Sequence, residues 1–299
     1  PQIDDINWSP RVPKAVLELE EACCETDYPL HAIIYIHALQ NPFIDDEGHE
    51  DTAQASTKPD SVVVLHRLLT LEDHDNVQQW RMKRIGLDKL SKLRNPPVWV
   101  KNLVNEIEQI ASADNEMTPL QLAITLNCPD IIRTLVSGTM ASYGVHSGTP
   151  LILACELGRV ACIKALLCSS HVKLDYRERR GGNTCYHYCC LNQNNGVAAL
   201  DTLMSHTTNT AQKRMLLSTN REGRNLLHLA CARGDLPLLK SLLGHLSNIS
   251  SQLPWKALTM NDRLGHSPFI SAVYANECEI VEHLLLTRFA GADYTSWFS

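Results

Sequence analysis

Apolar residues recur along this chain at intervals of three and four, in short runs. Ile131-Ile132 with Leu135-Val136, Ile163 with Leu166-Leu167, Leu238-Leu239 with Leu242-Leu243, and Ile280-Val281 with Leu284-Leu285 each place one apolar stripe on a helix. Upstream of each run stands a block that fits one seven-residue pattern, beginning at Thr118 (TPLQLAI), Thr149 (TPLILAC), Asn225 (NLLHLAC) and Ser267 (SPFISAV). A fifth block begins at Thr184 (TCYHYCC). The blocks are spaced by 31, 35, 41 and 42 residues. A period in the low thirties with loop-sized additions predicts stacked structural repeats, and such arrays bind more often than they catalyse.

Each block has the chemistry of a helix start. Thr118, Thr149, Thr184 and Ser267 are hydroxyl residues suited to accept from the free N–H groups of a first turn. Pro119, Pro150 and Pro268 follow, at the position where a missing N–H costs nothing. Thr118 and Gln121 have capping-box spacing. Gly158, Gly234, Asn127 and Asn276 stand between block and apolar run, where a left-handed cap would end the first helix. One unit is thus predicted to be turn, short helix, tight cap, longer helix.

This pattern resembles the ankyrin repeat, D-x-x-G-x-T-P-L-H-L-A-A-x-x-G-H-x-x-V-V-x-x-L-L. The best copy is Asn220 to Leu243, with Gly223, His228, Gly234 and Leu242-Leu243 at the family's Gly, His, Gly and Leu-Leu positions. Gly291-Ala292-Asp293 matches the family's terminal G-A-D. The resemblance implies an all-α ankyrin solenoid of five to seven repeats, five of them at about 113–143, 144–178, 179–219, 220–260 and 262–295.

Residues 1–112 fit less well. Tyr28-Pro-Leu-His-Ala-Ile-Ile34 and Val63-Val-Leu-His-Arg-Leu-Leu69 read as two divergent copies, with His31 and His66 35 residues apart and both expected at helix starts. A separate helical cap is the other reading of this region. Asn95-Pro96-Pro97 interrupts the chain, and apolar residues at 100, 103, 104, 107 and 110 predict an added amphipathic helix over 98–110. The acidic stretch from Asp45 to Asp60 reads as an exposed loop.

Composition narrows the partners. The chain has 299 residues, 44 % of them hydrophobic, and a net charge of −6. It lacks the clustered excess of positive charge that nucleic acid demands as a main ligand. It contains no apolar run long enough for a membrane span and opens on PQIDDINW, unlike a secretory leader. Eleven cysteines in such a chain suggest a reducing compartment, cytoplasmic or nuclear. The absence of an initiator Met suggests a segment of something longer.

Cys185-Tyr-His187-Tyr-Cys189-Cys190 has the residue types of a zinc site, but no second ligand pair lies nearby in sequence. The repeat accounts for the same residues without metal: His187 takes the template His, and the cysteines its alanines. His31, His66, His187 and His228 recur at one template position, whereas a catalytic His is expected once. No metal, cofactor or phosphate loop is implied. Arg177, Arg179 and Arg180, with Lys173 and His171, form a basic cluster before Thr184, and Arg81, Lys83 and Arg84 form another. Each reads as a solvated tip, or as a docking point for acidic or phosphorylated peptide.

Function is therefore expected in residues outside the template. The expected partner-binding set is Asn115, Met117, His146, Arg180, Arg221, Glu222, Arg224, Arg233, Arg263, Leu264 and Tyr274, on the tips and just after the first helices. Asp114, Val145, Asn183, His266, Glu156 and Leu157 flank them. The expected role is a non-catalytic, intracellular protein–protein interaction module within a larger signalling or regulatory protein, of unspecified oligomeric state. An inhibitor resembling the IκB family is the alternative. A third reading is an enzyme using Cys23, Cys24, His31, His37 or Asp45-Asp46-Glu47 in the N-terminal third.

Overall fold

The computed structural model describes residues 29–40, 60–69, 85–86, 116–136, 149–169 and 172–287. These residues are predominantly α-helical. In chain order the helices are α1 (Pro29–Gln40), α2 (Asp60–Leu69), α3 (Pro119–Thr125), α4 (Pro129–Val136), α5 (Thr149–Glu156), α6 (Val160–Leu167), α7 (Cys185–Leu191) and α8 (Gly196–Ser205). They continue with α9 (Asn209–Leu216), α10 (Leu226–Ala232), α11 (Leu236–Ile249), α12 (Leu253–Leu258), α13 (Pro268–Tyr274) and α14 (Cys278–Leu286). Two short strands, β1 (Ile85–Gly86) and β2 (Glu116–Met117), pair antiparallel with Ile85 opposite Met117. No helix among the described residues is long and apolar enough to cross a membrane. The chain divides into two compact units, Pro1–Ala154 with Lys164–Lys173, and Cys155–Ile163 with Leu174–Ser299.

The helices begin where the capping chemistry places them. Thr118 Oγ1 accepts from the Gln121 N–H at 3.3 Å, and Gln121 Oε1 accepts from the Thr118 N–H at 2.9 Å, closing the expected box. Asn225 Oδ1 accepts from the His228 N–H at 3.1 Å, and Ser267 Oγ from the Ile270 N–H at 3.4 Å. The first helices end on left-handed residues at the expected positions: Asn127 (φ 53°), Gly158 (φ 67°), Gly234 (φ 71°) and Asn276 (φ 60°). Non-glycine residues rarely adopt this region, and asparagine is among the few that tolerate it. The chain reverses there within two or three residues, so the apolar stripes of α4, α11 and α14 fold back on α3, α10 and α13.

In the first unit α1 packs on α2 and α3 on α4, while α1 also contacts α3 and α2 contacts α4. The segments around His31 and His66 are therefore the two arms of one helix pair, not two copies of a repeat. His31 lies in the first turn of α1, but His66 lies in the last turn of α2. An apolar run containing a histidine matches either arm, so the 35-residue interval carried no register. His37 Nδ1 and Ser61 Oγ join the arms at 2.7 Å, and both residues are buried. Burial lowers the His37 pKa, with Asp130 acting in the opposite sense. The expected helix at 98–110 and the acidic loop at 45–59 lie outside the described residues.

In the second unit the short helices α7, α10 and α13 follow one another in contact, and α8 and α11 do the same behind them. The core of this assembly is built from small and medium side chains, with Cys189, Cys190, Ala230, Cys231 and Ala272 all at 0 % exposure. Small residues let neighbouring helices approach, and a buried thiol serves as a small hydrophobe. The 41- and 42-residue intervals arise because α9 and α12 are inserted after α8 and α11. Each buries a few apolar side chains, Met215 and Leu216 on α9 and Leu253, Ala257 and Leu258 on α12.

Candidate functional site

Three successive turn tips precede α7, α10 and α13, and one local design builds them. In the second, the Asn220 N–H donates to the Arg224 carbonyl at 2.9 Å, while Asn220 Oδ1 accepts from the Glu222 and Arg224 N–H groups at 3.0 Å each. In the third, Asp262 takes the same place: its N–H donates to the His266 carbonyl, and Oδ1 accepts from Leu264 and His266 at 2.9 Å. Burial alone would raise the Asp262 carboxyl, but those two N–H groups and the nearby His228 and His266 hold it below its ordinary value. In the first tip Glu178 folds back onto the Arg180 and Gly181 N–H groups. Short acceptors that satisfy turn N–H groups are the physical reason Asn and Asp favour such positions.

The tips are tied to one another through the backbone. The Arg221 N–H donates to the Gly181 carbonyl at 2.7 Å, and the Arg263 N–H to the Glu222 carbonyl at 2.9 Å. Arg221 Nη1 adds a bond to the Arg180 carbonyl at 3.0 Å. Beneath them the template His228 acts as a strut to the next tip. His228 Nε2 lies 2.9 Å from the His266 carbonyl, and its Nδ1 lies 3.1 Å from the Asn225 backbone nitrogen and 2.8 Å from Asn225 Oδ1. Burial lowers the His228 pKa, opposed by that carbonyl. The Thr184 hydroxyl donates to His187 Nδ1 at 2.8 Å, and burial pulls His187 down to about 4, against the backbone of Arg224.

The expected contact residues divide by what they touch. Arg180, Arg221, Glu222, Arg263 and Leu264 lie exposed along the tips. Leu264 is 72 % exposed, and Tyr274, at the end of α13, is 75 % exposed, with the His266 and Tyr274 rings 4.9 Å apart. Arg224 is half-buried between Glu222 (3.0 Å) and Asp262 (3.7 Å). Arg233 is turned inward: Nη1 donates to the Cys190 and Asn192 carbonyls at the end of α7, so it caps a helix rather than facing solvent. Met117 stands on β2. Asn115 and His146 lie outside the described residues, as do Asp114 and Val145. Leu157 and Glu156 are half-buried, and burial raises the Glu156 carboxyl.

Of the basic cluster before α7, Arg177 is committed to structure, while Lys173, Arg179 and Arg180 are exposed. Arg177 donates to the Gly182 carbonyl at 3.1 Å and to that of Thr219, and Arg214 reaches Asp175 at 3.4 Å. His171, Arg81, Lys83 and Arg84 lie outside the described residues.

The cysteine-rich helix gains a member that sequence proximity concealed. Burial, then hydrogen bonds with Cys185 and Cys189, pushes the Cys155 thiol well up. Burial likewise raises Cys190 and Cys231. Protonated thiols are poor ligands and poor nucleophiles. Among the described residues no group of three or more His, Cys, Asp or Glu side chains is placed to hold a metal ion. The buried Ser61–His37 contact pairs a hydroxyl with an imidazole, and Ser61 has 0 % exposure. Cys23, Cys24 and Asp45-Asp46-Glu47 lie outside the described residues.

No family model matches the chain, and no curated protein matches it.

Proposed function

We propose that the helix pairs are ankyrin-type repeats stacked as a solenoid, and that the chain is a protein-interaction module reading its partner with the tips and the ends of the first helices. The observation that carries this reading is the exposure of Leu264 and Tyr274 beside a row of arginines. Large apolar side chains left in water next to Arg are typical of interface anchors. The three tips, 178–182, 220–224 and 262–266, carry five arginines against Glu178, Glu222 and Asp262. That local excess favours an acidic partner segment with apolar anchors, although the whole chain is acidic. Because backbone bonds already join the tips, binding need not order them first, which lowers the entropic cost of association.

The role would be to hold a partner within a larger regulatory assembly, without turnover. A photo-crosslinking residue in place of Leu264 or Tyr274, in the full chain, tests this in cells. A recurrent crosslinked protein that disappears on Arg221→Glu plus Arg263→Glu, with the melting temperature unchanged, would support it. Undiminished capture by the double variant would defeat it.

A further inference from the structure

The two segments that lead into the first and second tips lie around an open polar pocket of about 260 Å³, lined by Asp175, Arg177, Thr184, Arg214, Met215 and Ser218. Residues 175–177 run up to the 178–182 tip, and residues 214–218 span the end of α9 on the way to the 220–224 tip. The two cations of the pocket are held differently. Arg177 Nη1 donates to the Gly182 carbonyl at 3.1 Å and to the Thr219 carbonyl, which fixes the guanidinium in place. Its Nε and Nη2 N–H groups have no partner among the described residues, and no carboxylate there lies within ion-pair distance of it. Arg214 is held loosely: it reaches Asp175 at 3.4 Å, with the two side chains 68 % and 57 % exposed. An ion pair so open contributes little and exchanges partners at small cost. Ser218 Oγ is shut off from water and makes no hydrogen bond. A hydroxyl left without a partner is costly, and turning it toward a ligand breaks no bond.

This donor set selects an anion, and among anions a phosphoryl group. A carboxylate is flat and has two oxygens, so one guanidinium satisfies it. A phosphoryl group carries nearly two charges at pH 7 and three acceptor oxygens, so it can engage Arg177, Arg214 and Ser218 together. Asp175 opposes any anion, and one carboxylate beside two guanidinium groups leaves the lining with one net positive charge. A partner carboxylate would merely replace Asp175 on Arg214, like for like. The second charge of a phosphoryl group is what favours the exchange. The pocket also exceeds the size of a bare phosphate ion, and Met215 gives it an apolar wall for a carbon stem.

We propose that this pocket, at the base of the first two tips, binds a phosphorylated serine or threonine side chain of a partner protein. Arg177 supplies the fixed contact, Arg214 leaves Asp175 to close on the phosphoryl oxygens, and Ser218 turns its hydroxyl inward. The site requires neither Leu264 nor Tyr274. It adds to the molecule a contact that exists only once the partner has been phosphorylated.

The test uses the full chain and three labelled peptides in one alanine–glycine frame, differing only in a central phosphoserine, glutamate or serine. Fluorescence anisotropy should show the phosphoserine peptide binding at least about tenfold more tightly than either of the others. Arg214→Glu, at an exposed position, should weaken it by about tenfold or more, and Ser218→Ala by about threefold. Asp175→Asn should tighten it by about threefold, a gain that damage to the fold would not produce and that carries the test should Arg214→Glu unfold the chain. Equal binding of the phosphoserine and serine peptides would overturn the inference, as would phosphoserine binding indifferent to both Arg214→Glu and Asp175→Asn. Inorganic phosphate that binds as tightly as the phosphoserine peptide would overturn it too, since the stem would then contribute nothing. Leu264→Ala should leave phosphoserine binding unchanged within about twofold, so this site and the tip surface fail separately.

Discussion

The α10–α11 and α13–α14 pairs share a register and differ in how far their apolar residues are covered. Cys231 and Val273 hold the same template position, one fully buried and one half in water. The amino-acid types barely differ, so burial here is conferred by the following pair rather than by the residue's own helix. In an array each unit completes its core only with a neighbour.

Charge insertion should give the widest separation between the two pairs. Cys231→Asp strands a carboxylate in a closed core and should cost at least about 4 kcal/mol in urea denaturation, while Val273→Asp should cost less than about 1 kcal/mol. Equal losses would mean that the two positions share one environment.

Acid should separate them next. His187 sits near 4 in the folded chain against 6.5 when unfolded. Its neutral form is the folded one, so its contribution is complete above pH 6.5 and is lost as pH falls through about 4, up to about 3 kcal/mol in all. His228 is shifted in the same direction, whereas the last pair has Ile270 there. His187→Gln should flatten the fall in stability between pH 6.5 and 4 measured by denaturation, and Ile270→Gln should leave the slope unchanged.

Methyl insertion at the tips makes a finer test. Gly223→Ala adds a contact at 2.9 Å to an unfavourable φ, whereas Gly265→Ala incurs the φ cost alone. Thermal melts should place the first about 1–2 kcal/mol below the second. The smallest effect belongs to Leu264→Ala, which should shift stability by less than about 0.5 kcal/mol while reducing capture at the tips.

Much of this was readable from local chemistry. The Thr118–Gln121 box, the left-handed caps at 127, 158, 234 and 276, and the placing of His187 and His228 in the first turns of their helices follow from neighbours within a few residues. What escaped depends on packing over longer distances. Arg233 looks like a surface arginine until the α7 carbonyls arrive from about forty residues upstream. Cys155 joins Cys185 and Cys189 only when α5 and α7 are brought together. His66 fits the template loosely, through Leu65-His66, and yet belongs to the second arm of its pair. Helix α9, NTAQKRML, has too weak an apolar stripe to announce itself, and α12 is only six residues long. The Leu264 and Tyr274 positions came from the template; their exposure required the fold.

The inserted helices α9 and α12 have a further consequence. They lengthen the chain between one tip and the next, yet Arg221 still meets Gly181 and Arg263 still meets Glu222. Distance along the polypeptide and distance in space are thereby decoupled. The length of chain between tips can therefore vary while the bonds that join one tip to the next are kept.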